Sequence, residues 1–103
     1  MPKEFVLVHG MSHGGFAWNR LARRLERDGH RVVAPDLPGH GRRAHERRRA
    51  SLAAYARAVA DAAIQAGFSR ATIVGHSMAG AVLPGVAGLI PARIARLGVR
   101  FRF

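Results

Sequence analysis

Cysteine is absent from this 103-residue chain. Disulfides and thiolate metal sites are therefore excluded. Lysine is nearly absent too: Lys3 is the only one, and the remaining cationic side chains are arginines. Acids are scarce, six against seventeen lysines and arginines, and none follows Asp61; no histidine follows His76. No apolar run is long enough to span a membrane. Met1-Pro2-Lys3-Glu4 passes directly into a strand-like segment, without the charged and apolar regions of a secretory leader. From these absences we expect a cytoplasmic protein with no cofactor, no metal and no membrane partner.

What is present describes a globular domain. Hydrophobic residues make up 49% of the chain, enough for one core and too many for a disordered segment. The formal net charge of +11 has two readings. A basic face could bind nucleic acid or an acidic surface, or arginine could simply serve as the surface polar residue. The arginines are spread over several predicted helices and loops, and no aromatics interleave them. The second reading is therefore preferred, and no nucleic-acid partner is expected.

Apolar periodicity organises the chain into alternating elements. Phe5-Val6-Leu7-Val8 is a continuous apolar run ending at His9-Gly10, the pattern of a strand buried on both faces. A glycine-rich loop, Met11-Ser12-His13-Gly14-Gly15, follows. Trp18, Leu21, Ala22 and Leu25 then recur at helical spacing, and Gly29 is placed to end that helix. Arg31 to Ala34 reads as a second strand. Asp36-Leu37-Pro38-Gly39-His40-Gly41 is turn chemistry, and the basic stretch from Arg42 to Arg49, with His40 and His45, reads as a solvated loop. Ser51 can cap a helix carrying Leu52, Tyr55, Ala56, Val59 and Ala63 on one stripe, with Arg57 and Asp61 as a four-residue charge pair. Gly67 closes it, and Ala71 to Val74 reads as the third strand. This order predicts an α/β fold, a parallel sheet flanked by helices, with about four strands present.

Chemistry concentrates where that third strand ends, at Gly75-His76-Ser77-Met78-Ala79. A strand that turns sharply into a helix exposes a serine hydroxyl and aims it at free helix amides, which can stabilise an oxyanion. The backbone amide of Met78 is one such donor. A second must come from the loop after the first strand, where Met11 follows His9-Gly10. Ligand sites of parallel sheets lie at the carboxyl ends of the strands, and both stretches fall there.

With these motifs assembled, the chain resembles the α/β-hydrolase fold superfamily. It looks most like the branch of small esterases that includes salicylate-type methylesterases and hydroxynitrile lyases. Phe5 to Gly10 with His13-Gly14-Gly15 and Trp18 matches the first strand and oxyanion loop of that branch. Asp36 to Gly41 matches the D-x-P-G-x-G turn, Val74 to Met78 the nucleophile elbow, and Pro91 to Leu97 the approach to the next strand. The resemblance implies Ser77 as nucleophile, with the amides of Met11 and Met78 as the oxyanion hole. It implies His9, Gly10 and His76 as substrate-lining or structural groups, and His13 and Trp18 as groups shaping the loop. The implied partner is a small carboxylic ester. Residues 1–103 would be the amino-terminal part of one hydrolase domain.

Four departures from the family accompany the match. Ala79 stands where the elbow has a second glycine. Pro84 falls inside the helix after the serine, where a proline costs about 3 kcal/mol, so a kinked or weak helix is expected. The acid and base of the triad follow the serine in this fold, and residues 78–103 contain neither an acid nor a histidine. Finally, Gly98-Val99-Arg100-Phe101-Arg102-Phe103 replaces an apolar strand. Loss of one base from the Gly98 codon would permit Leu-Val-Tyr, so a frameshift there is expected. The intact homologue is thus read as a serine esterase and the 103 residues as a truncated, inactive piece, open to self-association through an exposed sheet edge. The alternatives are a catalytically dead remnant or binding module and, less favoured, a basic nucleic-acid binder.

Overall fold

The computed structural model describes residues 2–10, 14–76, 79–89 and 99–102. Strands β1 (Glu4–Val8), β2 (Arg31–Val33), β3 (Ala71–His76) and β4 (Val99–Arg102) form one sheet in the order β2-β1-β3-β4. Every pairing is parallel. Helices α1 (Asn19–Arg27), α2 (Leu52–Gln65) and α3 (Ala79–Ala87) connect them, with 3-10 segments at Gly15–Trp18 and Gly41–Arg49. The α/β alternation expected from the sequence is the alternation found. Val99–Arg102, despite its departure from the family pattern, pairs with β3 from Ile73↔Val99 to His76↔Arg102.

The two faces of the sheet are covered unequally. Val6, Val8, Ala71 and Ile73 point to one face and pack with Tyr55, Ala56, Val59, Ala60 and Ala63 of α2 and Val82, Leu83 and Val86 of α3. Leu7 is fully buried on the other face, outside that cluster. There α1 packs against β2, but none of its residues is fully buried. The predicted stripe on α1 is corrected accordingly: Ala22 and Leu25 are half-buried, Leu21 is 41% exposed, and Trp18 lies before the helix. Thr72 and Val74, the β3 residues on this face, are also only half-buried.

Local signals act as their chemistry requires. The Ser51 side chain accepts a hydrogen bond from the Ala54 amide at 3.0 Å, a cap contributing about 1 kcal/mol. Gly29 and Gly67 adopt φ of +88° and +72° just after α1 and α2, the left-handed C-terminal position that glycine fills without steric cost. Arg57 and Asp61 pair at 3.0 Å. Pro84 does not end α3, which runs on to Ala87. The 42–49 stretch is largely exposed, as expected, but it is built of 3-10 turns with non-helical dihedrals at Arg43 and Glu46. It is tied by Arg43, whose Nε and Nη2 donate to the two oxygens of Glu46 at 2.5 and 2.8 Å. That bond raises the Arg43 guanidinium above its ordinary pKa.

The asymmetry of the sheet gives a stability prediction. Ile73→Ala empties a fully buried site and should cost about 2–5 kcal/mol. Leu21→Ala, on the thinly covered face, should cost under about 1 kcal/mol. Urea denaturation of the two variants measures both; equal losses would contradict the unequal packing.

Candidate active site

Parallel pairing puts the ends of β1 and β3 side by side, with Val8 opposite Gly75. The next residues of both strands, His9 and Gly10 on one side and His76 on the other, line a cleft of about 180 Å³ together with Ala17 and Trp18. This cleft stands at the carboxyl edge of the sheet, where such folds place ligands. Ser77 directly follows His76 in the sequence, and Met11 directly follows Gly10. Ser77, Met78 and Met11, the expected nucleophile and oxyanion donors, lie outside the described residues. A wider, shallow concavity of about 720 Å³ runs along Ala44–Arg48. Among the described residues, a single contiguous and mostly exposed segment lines it.

His9 is 1% exposed and its protonation state follows from its neighbours. Nδ1 lies 2.7 Å from the carbonyl oxygen of Gly10, which can only accept. Nε2 lies 3.0 Å from the amide of Leu37, which can only donate. The ring is therefore the neutral Nδ1–H tautomer. Its lone pair is engaged by a backbone amide, so it does not serve as a general base. His40, expected on a solvated loop, is instead half-buried. Its ring sits 5.1 Å from that of His9 and packs edge-on against Tyr55 at 5.7 Å. The correction has a physical cause: the turn from Asp36 to Gly41 folds inward under Leu37, which is fully buried.

Sequence reading missed the part played by Asp36. Its Oδ1 accepts from the Gly15 amide at 2.6 Å and its Oδ2 from the Arg42 amide at 3.1 Å. The D-x-P-G-x-G spacing held that signal, because a carboxylate placed just before a turn can accept amides from within it. Trp18 Nε1 is buried without a hydrogen-bond partner among the described residues. Among the described residues, no group of three or more His, Cys, Asp or Glu is placed to hold a metal, and no helix is long and apolar enough to cross a membrane.

Close packing explains Ala79. It is fully buried at the start of α3. A methyl group added at Gly75 would fall 2.9 Å from its Cβ and 3.0 Å from Leu83 Cδ1. The strand glycine thus makes room for the helix alanine.

A parallel α/β sheet with a cleft at its carboxyl edge defines the class to which the hydrolase-type folds belong. The sequence profile described as the alpha/beta hydrolase family matches residues 5–100, and this chain belongs to that family. It is 38% identical over 95 residues to a carbendazim hydrolyzing esterase of Nocardioides sp. (strain SG-4G), covering 91% of this chain and 39% of that protein. It is also 38% identical over 97 residues to the protein of Oryza sativa subsp. indica named "Probable esterase PIR7A", covering 90% of this chain and 36% of the relative. Among solved structures it resembles an extracellular alpha/beta-hydrolase from a Paenibacillus species, with a TM-score of 0.80 and 29% identity, over 97% of this chain and 40% of that one. The chain thus spans about two-fifths of the length of these relatives, and the resemblance to an esterase branch holds in both sequence and fold.

The Gly75–Ala79 contact yields a double-mutant test. Gly75→Ala alone should cost about 1–3 kcal/mol through overpacking. Adding Ala79→Gly should recover part of that loss even though glycine is the poorer helix former. Additive losses in denaturant titrations would show that the two sites do not share space.

Proposed function

We propose that this chain is the nucleophile-bearing part of a serine esterase-like hydrolase acting on a small carboxylic ester. The observation that carries the reading is the side-by-side register of β1 and β3. It brings Gly10, which precedes Met11, and His76, which precedes Ser77, to one cleft. The esterase names of the relatives support the same chemistry. In this reading Ser77 Oγ attacks the ester carbonyl carbon while a base takes its proton. The amides of Met11 and Met78 hold the resulting oxyanion. The carbon–oxygen bond to the alcohol then breaks, the alcohol leaves with a proton, and water releases the acid from the acyl-enzyme.

The base is the missing term. His9 has no lone pair to offer, and residues 78–103 hold no acid or histidine. Removing the base from such a triad costs several orders of magnitude, while an oxyanion site alone retains a residual effect. These 103 residues by themselves are therefore proposed to react with an activated probe without turning over an ester. We propose a cytoplasmic setting and self-association through the exposed sheet edge for the isolated piece.

A fluorophosphonate probe tests the reading. Labelling should map to Ser77 and vanish in Ser77→Ala, while steady-state release from a chromogenic short-chain ester stays at the background rate. A label that maps elsewhere, or that survives Ser77→Ala, overturns the assignment. The net charge of +11 favours one competitor, a polyanion-binding role. Retention on DNA whose logarithm falls linearly with that of salt would support it.

A further inference from the structure

We propose that Asp36 and His9 are positioning residues that fasten the loop after β1 at both of its ends to the turn after β2. The proposal deepens the esterase reading and rests on it for the purpose of the loop, because that loop carries Met11. Parallel pairing of β1 with β2, Val6 opposite Val33, sets the two loops side by side. At the near end, His9 bridges them: its Nδ1–H donates to Gly10 and its Nε2 accepts from Leu37. At the far end, Asp36 bridges them: Oδ1 accepts from Gly15 and Oδ2 from Arg42. In the sequence, one anchored point precedes Met11 and the other follows it at Gly15.

The Asp36 carboxylate occupies a socket that only bare backbone can form. A methyl group at Gly41, whose φ is +53°, would fall 2.2 Å from Oδ1, and one at Gly14 would fall 2.9 Å from it. A methyl at Gly15 would fall 2.2 Å from the Ala34 carbonyl oxygen. The glycines of two separate motifs thus answer to one side chain and the strand end beside it. Amides donated to an ionised acceptor form shorter and stronger bonds than neutral pairs, and fixing both ends of a short loop removes much of its conformational freedom. Oxyanion stabilisation needs a donor held in place before the charge develops. Asp36 serves that need through backbone amides, and it is not the carboxylate that orients a catalytic histidine.

Amide exchange and probe labelling, measured on the same variants of the full chain, separate the possibilities. In Asp36→Ala the Gly15 and Arg42 amides should exchange about tenfold faster or more, the factor a charged-acceptor hydrogen bond implies. The Val6 and Ile73 amides should keep their protection. Fluorophosphonate labelling of Ser77 should slow about tenfold or more. Asp36→Asn, which keeps one acceptor oxygen, should restore part of both effects. It also replaces the alanine variant if that one loses protection everywhere. Long-range nitrogen–proton spectra should show His9 as the Nδ1–H tautomer. Unchanged Gly15 exchange, or the opposite His9 tautomer, overturns the fastening. Faster exchange with an unchanged labelling rate overturns the positioning role. A wild-type chain that takes no label overturns the serine reading instead, and the fastening then stands or falls on exchange and tautomer.

Discussion

The pairing of β1 with its two neighbours is the constraint on which the rest of the structure depends. β1 lies between β2 and β3, parallel to both. All three strands therefore finish at one edge, and the loops that leave them must share that edge. The cleft lined by His9, Gly10, Trp18 and His76, the buried turn at Leu37 and the anchored Asp36 follow from this arrangement. Antiparallel pairing would have sent one of these loops to the opposite end of the sheet, leaving the same residues without a common site.

Burial on both faces makes β1 able to fill this place. Val6, Leu7 and Val8 are fully buried, which only a strand covered on both sides allows. Its start is fastened by Glu4. Oε1 accepts from the amides of Ser69 and Arg70 at 2.8 and 2.7 Å, and Oε2 pairs with Arg31 at 3.3 Å. Arg31 in turn donates to the Ala66 carbonyl at 2.6 Å and lies over the Phe68 ring at 5.0 Å. One side chain thereby ties the beginnings of β1 and β2 to the approach to β3. The strands are aligned at their amino ends by Glu4 and bridged beyond their carboxyl ends by His9 and Asp36.

Most of the strands and helices could be read in the sequence, because the signals for them are local. An unbroken apolar run marked β1, period-3.6 stripes marked the helices, and single glycines marked their ends. β3 was read two residues short, because Gly75 and His76 carry no apolar signal although they extend the ladder to Val8 and Arg102. What stayed hidden depends on contacts between segments far apart in the chain. His40 looks like a loop histidine until Tyr55 and His9 are seen on either side of it. Leu21 fits an amphipathic stripe, but periodicity reports a face and not what covers it. Asp36 could be recognised as turn chemistry, while its acceptance of an amide 21 residues earlier is a tertiary fact.

The shortage of acids bears on mechanism as well as charge. Of the six in the chain, five are committed within the fold. Glu4 holds the strand starts, Asp36 holds the two loops, Glu46 grips Arg43, Asp61 pairs with Arg57, and Asp28 pairs with Arg24 at 3.5 Å. Glu26 is on the exposed surface of α1, outside the cleft. A catalytic histidine needs a carboxylate to fix its tautomer and balance its charge, and none of these is placed to do so. His9 reinforces the point, since the backbone groups of Gly10 and Leu37 hold its two ring nitrogens. Asp36, Glu4 and Glu46 hold loops and strand starts, and Asp28 and Asp61 pair along helices, so in the proposed esterase reading none of the described acids is the carboxylate of a triad.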